Sequence, residues 1–426
     1  MQSGDNIEVE ITHIAGLGDG AASYQNLPVF VPFSCTGDVL SVIVEEVTRT
    51  AIRAQIADII RPSPQRQLPP CPHFGQCGGC SLQHLSDTTY HQFKQSIAEH
   101  TARQLGADNA VVQPLFSAGS ASRRRADYKV AVNKGVVTVG FNAARSHATV
   151  DAADCRVVVP EIVEEIAHFK ALLSTFKKPS LVSAIELTLA DNGLDIVIEC
   201  KNKLKPADAE LLQNHLMRDS IVRCGLKVSE TAYTIIKSGE PQLHKAGTYI
   251  ELPFKSFLQA TKISEEYMVD AVLSACRDAN KVADLYSGCG TFSLPLAQAG
   301  HNVVAYEGND DAVRALFNAA QRSNYAPNVI SHCRDLMAKP VTDAELESID
   351  AVVINPPRNG AQPQCRQLAQ SDVVDIVMVS CNPATFVRDG KALIAGGYML
   401  DKLIPIDQFT WSAHLELIGV FTRNSQ

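Results

Sequence analysis

No stretch of this chain approaches the ~18 consecutive uncharged apolar residues that a membrane-spanning helix needs, so no membrane span is expected. The opening MQSGDNIEVEITH has no basic segment followed by an apolar one, so it does not read as a secretory signal, and a cytoplasmic location is expected. No repeat period is visible, which argues against a solenoid. The chain also lacks the pairing of few apolar residues with high net charge that keeps polypeptides disordered, being 46% hydrophobic and 20% charged. Its 426 residues suggest two to four domains, at roughly 100–200 residues each. Cysteine is not scarce: there are twelve. In a reducing compartment they point to a metal site or thiol chemistry rather than to disulfides.

Basic charge is in short supply. The net charge of −8 argues, taken alone, against a polyanion partner. One segment departs from the average. Between Val111 and Val150 there are six basic residues (Arg123, Arg124, Arg125, Lys129, Lys134, Arg145) against one acid, Asp127. The triplet Arg123–Arg125 directly precedes a strand-like run, so it reads either as a phosphate-contacting ledge or as a solvated loop.

Residues 1–62 read as a small β-barrel, with four or five short Val- and Ile-rich segments separated by turn signals. Residues 63–250 form a mixed middle that begins with the proline-rich Arg61–Pro70 stretch and a helix near Asp87–Leu105. Residues 251–426 alternate strand and helix, the pattern of a parallel sheet covered on both faces. The fold class is therefore α/β with an added barrel and a central α+β unit.

In such sheets ligands sit beyond the carboxyl ends of the strands. One strand ends in Asp284-Leu-Tyr-Ser-Gly-Cys-Gly, where Gly288 and Gly290 permit a tight turn. Ser293 stands where a dinucleotide fingerprint has its third glycine. Glu307 ends the next strand, where an acid suits the two hydroxyls of a ribose, and Asn355-Pro-Pro-Arg ends another. Together these favour S-adenosylmethionine over a nicotinamide cofactor. Cys381 follows the apolar run Asp375–Val379, and Pro383 can open the next helix. A thiol at a helix start is expected to have a depressed pKa. A methyl transfer needs such a thiol when the acceptor is the C5 carbon of a pyrimidine. That carbon becomes nucleophilic only after a thiolate adds at C6. Glu416 lies in HLELIGVF, a strand apolar on both faces, so a raised pKa and a proton-accepting task are expected of it. Cys35, Cys200, Cys224, Cys276 and Cys333 read as small buried hydrophobes.

Cys71, Cys77 and Cys80 place three thiols within ten residues, and Cys155 is the nearest later cysteine. From spacing alone, zinc and a [4Fe-4S] cluster are nearly equal readings.

These residues together resemble the RNA uridine-5-methyltransferase family, in its TRAM-containing, iron–sulfur 23S rRNA branch. The likeness runs over essentially the whole chain. It implies that the first sixty residues are a TRAM domain and that residues 251–426 are a class I methyltransferase domain. It further implies that Cys71, Cys77, Cys80 and Cys155 hold a [4Fe-4S] cluster. Phe257-Leu-Gln259 matches a cofactor-contacting stretch, and Tyr286, Gly288, Glu307, Asp335 and Asn355 fall at the other cofactor positions. Ser380-Cys381-Asn382-Pro383 matches the nucleophile signature and His414-Leu-Glu416 the base motif. The family usually has aspartate at Asn355 and asparagine at Thr261. The likeness also implies that the helix near Asp87–Leu105 packs on the methyltransferase domain. The expected partner is RNA, most directly 23S rRNA, and a monomer is expected. Competing readings are the same chemistry on the tRNA T-loop, an amino-methyltransferase using Asn355-Pro-Pro-Arg, and a redox-sensing RNA-binding protein with a vestigial methyltransferase domain.

Overall fold

A computed structural model describes residues 1–107, 109–228, 233–237 and 239–423. At the N-terminus, six strands form one mixed sheet in the order Asn6–Glu10, Val39–Val47, Ile52–Arg61, Leu27–Val31, Gly20–Tyr24, His13–Ile14. Residues alternate exposed and buried along Asn6–Glu10, and the sheet curls round Ile7, Val9, Val29, Leu40, Val42 and Ile52. The proline-rich stretch that follows is anchored. Arg66 Nε donates to both carboxylate oxygens of buried Asp38, at 2.8 and 2.9 Å.

The middle sheet has seven strands, with Arg125–Asn133 and Val182–Ala190 antiparallel near its centre. Helix Pro160–Thr175 lays Ile162, Ile166 and Phe169 on Tyr128, Ile185 and Ile196. Pro160 opens this helix, where a missing N–H costs nothing.

The C-terminal sheet has nine strands. In spatial order they are Val329–Cys333, Asn302–Glu307, Lys281–Leu285, Ala351–Ile354, Asp375–Ser380, Glu416–Thr422 and Met399–Asp407, then short Val111–Val112, with Phe116–Ser117 also on the Met399–Asp407 strand. The first five are parallel, and Glu416–Thr422 inserts antiparallel. Both faces are covered. One core gathers Met268, Phe292, Leu316 and Val353, the other Tyr306, Ile354, Phe386 and Leu417.

Helix Asp87–Gln104 belongs to this last core, as the family likeness implied: Ala98, Ala102 and Leu105 join Phe386 and Leu400. Ser86 caps it by accepting from Thr89 N–H at 3.4 Å. Its buried face also carries a charge. Lys94, wholly buried, donates from Nζ to Asp407 Oδ1 at 2.9 Å and to the His414 carbonyl. Tyr90 Oη donates to Asp407 Oδ2 and accepts from Trp411 N–H at 2.9 Å. Asp407 is also fully buried, so removing Lys94 would strand a charge in a dry core. Lys94→Ala should therefore cost about 3–5 kcal/mol and lower the thermal midpoint markedly. A thermal melt matching the wild type would show that water reaches Asp407.

Candidate active site

The parallel strands Lys281–Leu285, Asn302–Glu307, Val329–Cys333 and Ala351–Ile354 end side by side, and five expected cofactor positions lie at their ends. Tyr286 and Gly288 follow the first, Glu307 closes the second, Asp335 follows the third and Asn355 the fourth. The backbone turns sharply after Leu285, with φ of +62° at Tyr286, +55° at Gly288 and +94° at Gly290. A Cβ on Gly290 would strike the Leu316 side chain at 2.5 Å. One on Gly288 would meet nothing within 4 Å, which leaves room for a ligand. Glu307 Oε2 accepts from Gly288 N–H at 2.9 Å and its Oε1 from Asn309 N–H at 2.8 Å, so this carboxylate also holds the turn in shape. Asp335 Oδ1 accepts from Met337 N–H at 2.9 Å.

Among the described residues, two buried oxygens beside this turn have no hydrogen-bond partner, Ser287 Oγ and Asp284 Oδ1. The other Asp284 oxygen accepts from Ser293 Oγ at 2.5 Å, and burial pushes this carboxyl up to about 7. Orphaned polar atoms, open space over Gly288 and an acid at the neighbouring strand end fit a polar, ribose-bearing cofactor such as S-adenosylmethionine.

The second half of the site comes from two antiparallel strands. Asp375–Ser380 pairs with Glu416–Thr422 with Ser380 opposite Leu417, so the next step brings Cys381 across from Glu416. Asn382 caps the following helix by accepting from Ala384 N–H at 3.1 Å, and Pro383 is its first residue. This helix start does not depress the Cys381 thiol, contrary to expectation. Burial raises its pKa and the Glu416 carboxylate raises it further, with Arg358 opposing. Desolvation and a facing anion outweigh the helix start here. Glu416 is 3% exposed and burial lifts its carboxyl to about 7, as the apolar strand pattern indicated.

Two further neighbours complete the site, of which Gln408 escaped the sequence reading. Gln408, 2% exposed, donates from Nε2 to Glu416 Oε2 at 2.7 Å and to Gln259 Oε1 at 3.0 Å, while its Oε1 accepts from Ala260 N–H at 2.9 Å. One amide thus joins the expected cofactor glutamine to the expected base. Arg358 is exposed at the mouth, 3.4 Å from His414 Nδ1, and its carbonyl accepts from Asn382 Nδ2 at 3.3 Å. Gln408 carries no local sequence signal, because it acts across the fold; Arg358 stood in the Asn355-Pro-Pro-Arg strand end but with no expected role toward Cys381.

Two further expectations are corrected. The arginine triplet is not a ledge. Arg124 is buried, with Nη2 on Glu265 at 2.6 Å and Nε on the Gln259 carbonyl at 3.1 Å. Arg125 reaches Glu186 at 2.5 Å and the Ser256 carbonyl at 3.2 Å, and Arg123 Nε donates back to the Arg125 carbonyl at 2.9 Å. The Arg124 and Arg125 guanidiniums join the middle sheet to the C-terminal unit. Cys333 is exposed rather than buried, because it ends an edge strand; Cys35, Cys200, Cys224 and Cys276 are buried as expected.

Cys71, Cys77, Cys80 and Cys155 are all half-buried. Burial pushes the Cys80 thiol up to about 12, and Cys155, Cys77 and Cys71 each add to that. Among the described residues, no three His, Cys, Asp or Glu side chains converge into a ready-made metal site. The donor set, four soft thiols, still suits iron or zinc.

The strand order, with five parallel strands and the last strand of the chain, Glu416–Thr422, inserted antiparallel between Asp375–Ser380 and Met399–Asp407, defines an S-adenosylmethionine-dependent methyltransferase. A solved structure of the Pyrococcus abyssi tRNA (uracil-54, C5)-methyltransferase with S-adenosyl-L-homocysteine shares the fold. It has a TM-score of 0.74 and 23% identity, over 97% of this chain and 99% of that one. Residues 245–425 match the tRNA (uracil-5-)-methyltransferase family model. An uncharacterized RNA methyltransferase of Rhizobium meliloti is 35% identical, covering 97% of this chain and 99% of its own length. The 23S rRNA (uracil(1939)-C(5))-methyltransferase of Pectobacterium atrosepticum is 28% identical, covering 99% of this chain and 94% of its own. This chain belongs to the RNA (uracil-5-)-methyltransferase family.

The facing pair makes a direct prediction. Glu416→Gln removes the anion opposite Cys381, so the thiol should ionise at lower pH. Iodoacetamide should then alkylate Cys381 roughly three- to tenfold faster near neutral pH. An unchanged pH profile of alkylation would mean that the carboxylate and thiol do not sense each other.

Proposed function

We propose that this protein methylates C5 of one uridine in 23S rRNA through a covalent Cys381 adduct. The observation that carries the proposal is the register that brings Cys381 and a buried, proton-accepting Glu416 to adjacent strand ends. S-adenosylmethionine, when bound along Tyr286, Gly288, Glu307, Asp335, Asn355 and Gln259, supplies an electrophilic methyl group.

The chain's own residues do the rest. The Cys381 thiolate adds its electron pair to C6 of the uracil, and the former C5–C6 π pair makes C5 nucleophilic. Arg358 is the cation that favours the thiolate. After transfer, C5 carries both the methyl group and its hydrogen. Glu416 takes that hydrogen as a proton, its bonding pair re-forms the C5–C6 double bond, and the C6–S bond breaks to restore the thiolate. The uridine must be unstacked for both faces to be reached. Gln408, hydrogen-bonded to both Gln259 and Glu416, keeps cofactor contact and proton acceptor in register.

For the substrate, the relationship to a protein named for 23S rRNA, at 28% identity against 23% for the tRNA enzyme over similar coverage, supports rRNA over tRNA. Mapping 5-methyluridine by mass spectrometry in rRNA and tRNA from a deletion strain tests this. A loss confined to tRNA would replace 23S rRNA with the T-loop. On RNA containing 5-fluorouridine the enzyme should stay covalently joined, because C5 then has no proton to lose. Cys381→Ala should form neither adduct nor product, and any product from it would end the covalent reading. Glu416→Gln should methylate and then stall as a trapped adduct. In the wild type, elimination should slow as pH falls below about 7, where the raised carboxyl is protonated and cannot accept.

The first sixty residues are proposed as a TRAM-type RNA-binding barrel, and Cys71, Cys77, Cys80 and Cys155 as the ligands of a [4Fe-4S] cluster. Anaerobically purified protein should hold about four irons per chain, and Cys155→Ser should lose them. One zinc and no iron would overturn the cluster.

A further inference from the structure

With Arg123–Arg125 turned inward, an RNA enzyme of net charge −8 needs another cationic surface. One end of the middle sheet supplies it. Strands Arg125–Asn133 and Val182–Ala190 run antiparallel with Thr188 opposite Arg125 and Ala184 opposite Lys129, so the turn after Asn133 lies where Val182 begins. Val182 in turn pairs with Cys200, so the Gly193–Cys200 strand finishes at the same end. Three chain segments meet there. They carry Lys134 in the hairpin turn, Lys177 and Lys178 on the approach to Val182, and Lys201, Lys203 and Lys205 after Cys200.

These segments are fixed to one another. Lys201 N–H donates to the Leu181 carbonyl at 2.8 Å. Lys177 and Lys178 N–H donate to the two carboxylate oxygens of Asp208, at 2.8 and 3.2 Å. Asp208 is wholly buried and its two oxygens accept these backbone N–H bonds; among the described residues it forms no ion pair with the ammonium groups. All six lysines are exposed, and among the described residues none is paired with a carboxylate. Glu199, the acid of the adjoining strand, is taken by Lys227 and Lys255, and exposed Glu210 is the nearest acid in sequence beyond Asp208.

The opposite end of the Arg125–Asn133 strand abuts the candidate active site, because Arg124 bonds the Gln259 carbonyl and Arg125 the Ser256 carbonyl. About nine residues of extended chain separate the two ends, or ~30 Å. Resting on the methylation reading above, we propose that this lysine end docks the phosphate backbone of the RNA substrate ~30 Å from the reacting uridine. The substrate is then an extended, folded RNA and not a short oligonucleotide. Ammonium groups suit this task, as hydrated point charges that contact phosphates without reading sequence.

The test replaces Lys134, Lys177, Lys178, Lys201, Lys203 and Lys205 by Gln, with a Lys134→Gln/Lys201→Gln/Lys203→Gln variant as a milder second. Binding to an unmethylated 23S rRNA transcript and to a ~10-nucleotide uridine-containing oligonucleotide is measured across salt concentrations. Each phosphate contact contributes roughly 0.7–0.9 to the log–log salt slope, so the six-site variant should lose about 2 or more from that slope. Its KM for the transcript should rise about tenfold or more with kcat kept, while activity on the oligonucleotide stays at the wild-type level. An unchanged slope and KM overturn the surface. So does a lysine-dependent affinity for phosphatidylglycerol vesicles with RNA binding unaltered. Wild-type protein that binds the transcript through these lysines yet methylates neither rRNA nor tRNA would overturn the reaction reading and leave the surface standing.

Discussion

The antiparallel register between Asp375–Ser380 and Glu416–Thr422 is the constraint on which the candidate active site rests. Side chains alternate along a strand, so a slip of one residue would turn Glu416 to the other face and move it away from Cys381. The register is held by side chains buried on both faces, Ile418 in one core and Leu417 and Phe421 in the other. A slip would expose neither face to water, but it would exchange large side chains between two differently shaped cores. Close packing makes that costly. The second support is the segment leading into Glu416. It leaves Asp407, which Lys94 and Tyr90 hold, and returns at His414, whose carbonyl Lys94 also holds.

Within that frame, the electrostatics are those of a dry site with little compensating charge. Glu416 has one hydrogen-bond donor, the neutral amide of Gln408, and burial outweighs it. Cys381 has a carboxylate facing it and a cation only at the mouth. Both groups therefore resist ionising, and each resists more when the other is charged. The strand ends at Glu307 and Asp335 differ. There the carboxylates accept backbone N–H bonds and stay nearer solvent.

Much of this was legible in the sequence where the signal is local. Strand–helix alternation, the glycine turn after Leu285, the apolar flanks of Glu416 and the proline opening a helix after Cys381 are all short-range patterns, and each lies where the structure has it. The helix at Asp87–Gln104 was assigned to the C-terminal unit only through family likeness. Its partners stand some three hundred residues away, and its buried Lys94 disguises the apolar face. The two-residue strands Val111–Val112 and Phe116–Ser117 are too short to carry a periodicity. Arg123–Arg125 misled because a charge run does not disclose its partners. Glu186 and Glu265 lie 61 and 141 residues further on. Gln408 was invisible for the same reason, since its worth lies in reaching Gln259, 149 residues earlier.

The loop between Gln408 and Glu416 is where the separate units of the chain converge. Trp411 offers its carbonyl to Ser81 N–H at 2.9 Å and Leu82 N–H at 3.0 Å, immediately after Cys80, and its own N–H to Tyr90 of the helix. Gly18 of the N-terminal sheet lies so close that a Cβ there would approach Leu82 at 3.1 Å and Ala413 at 3.3 Å. Both ends of the loop are closed by Gln408, which bonds Glu416 directly. The cysteine-rich segment, the first sheet and the Asp87–Gln104 helix therefore all bear on one short path that ends at Glu416. Ordering such a loop costs conformational entropy at every residue, and its own few side chains cannot offset that cost. The contacts from the three flanking units do, and this gives a physical reason for the N-terminal parts of the chain to be fused to a methyltransferase sheet.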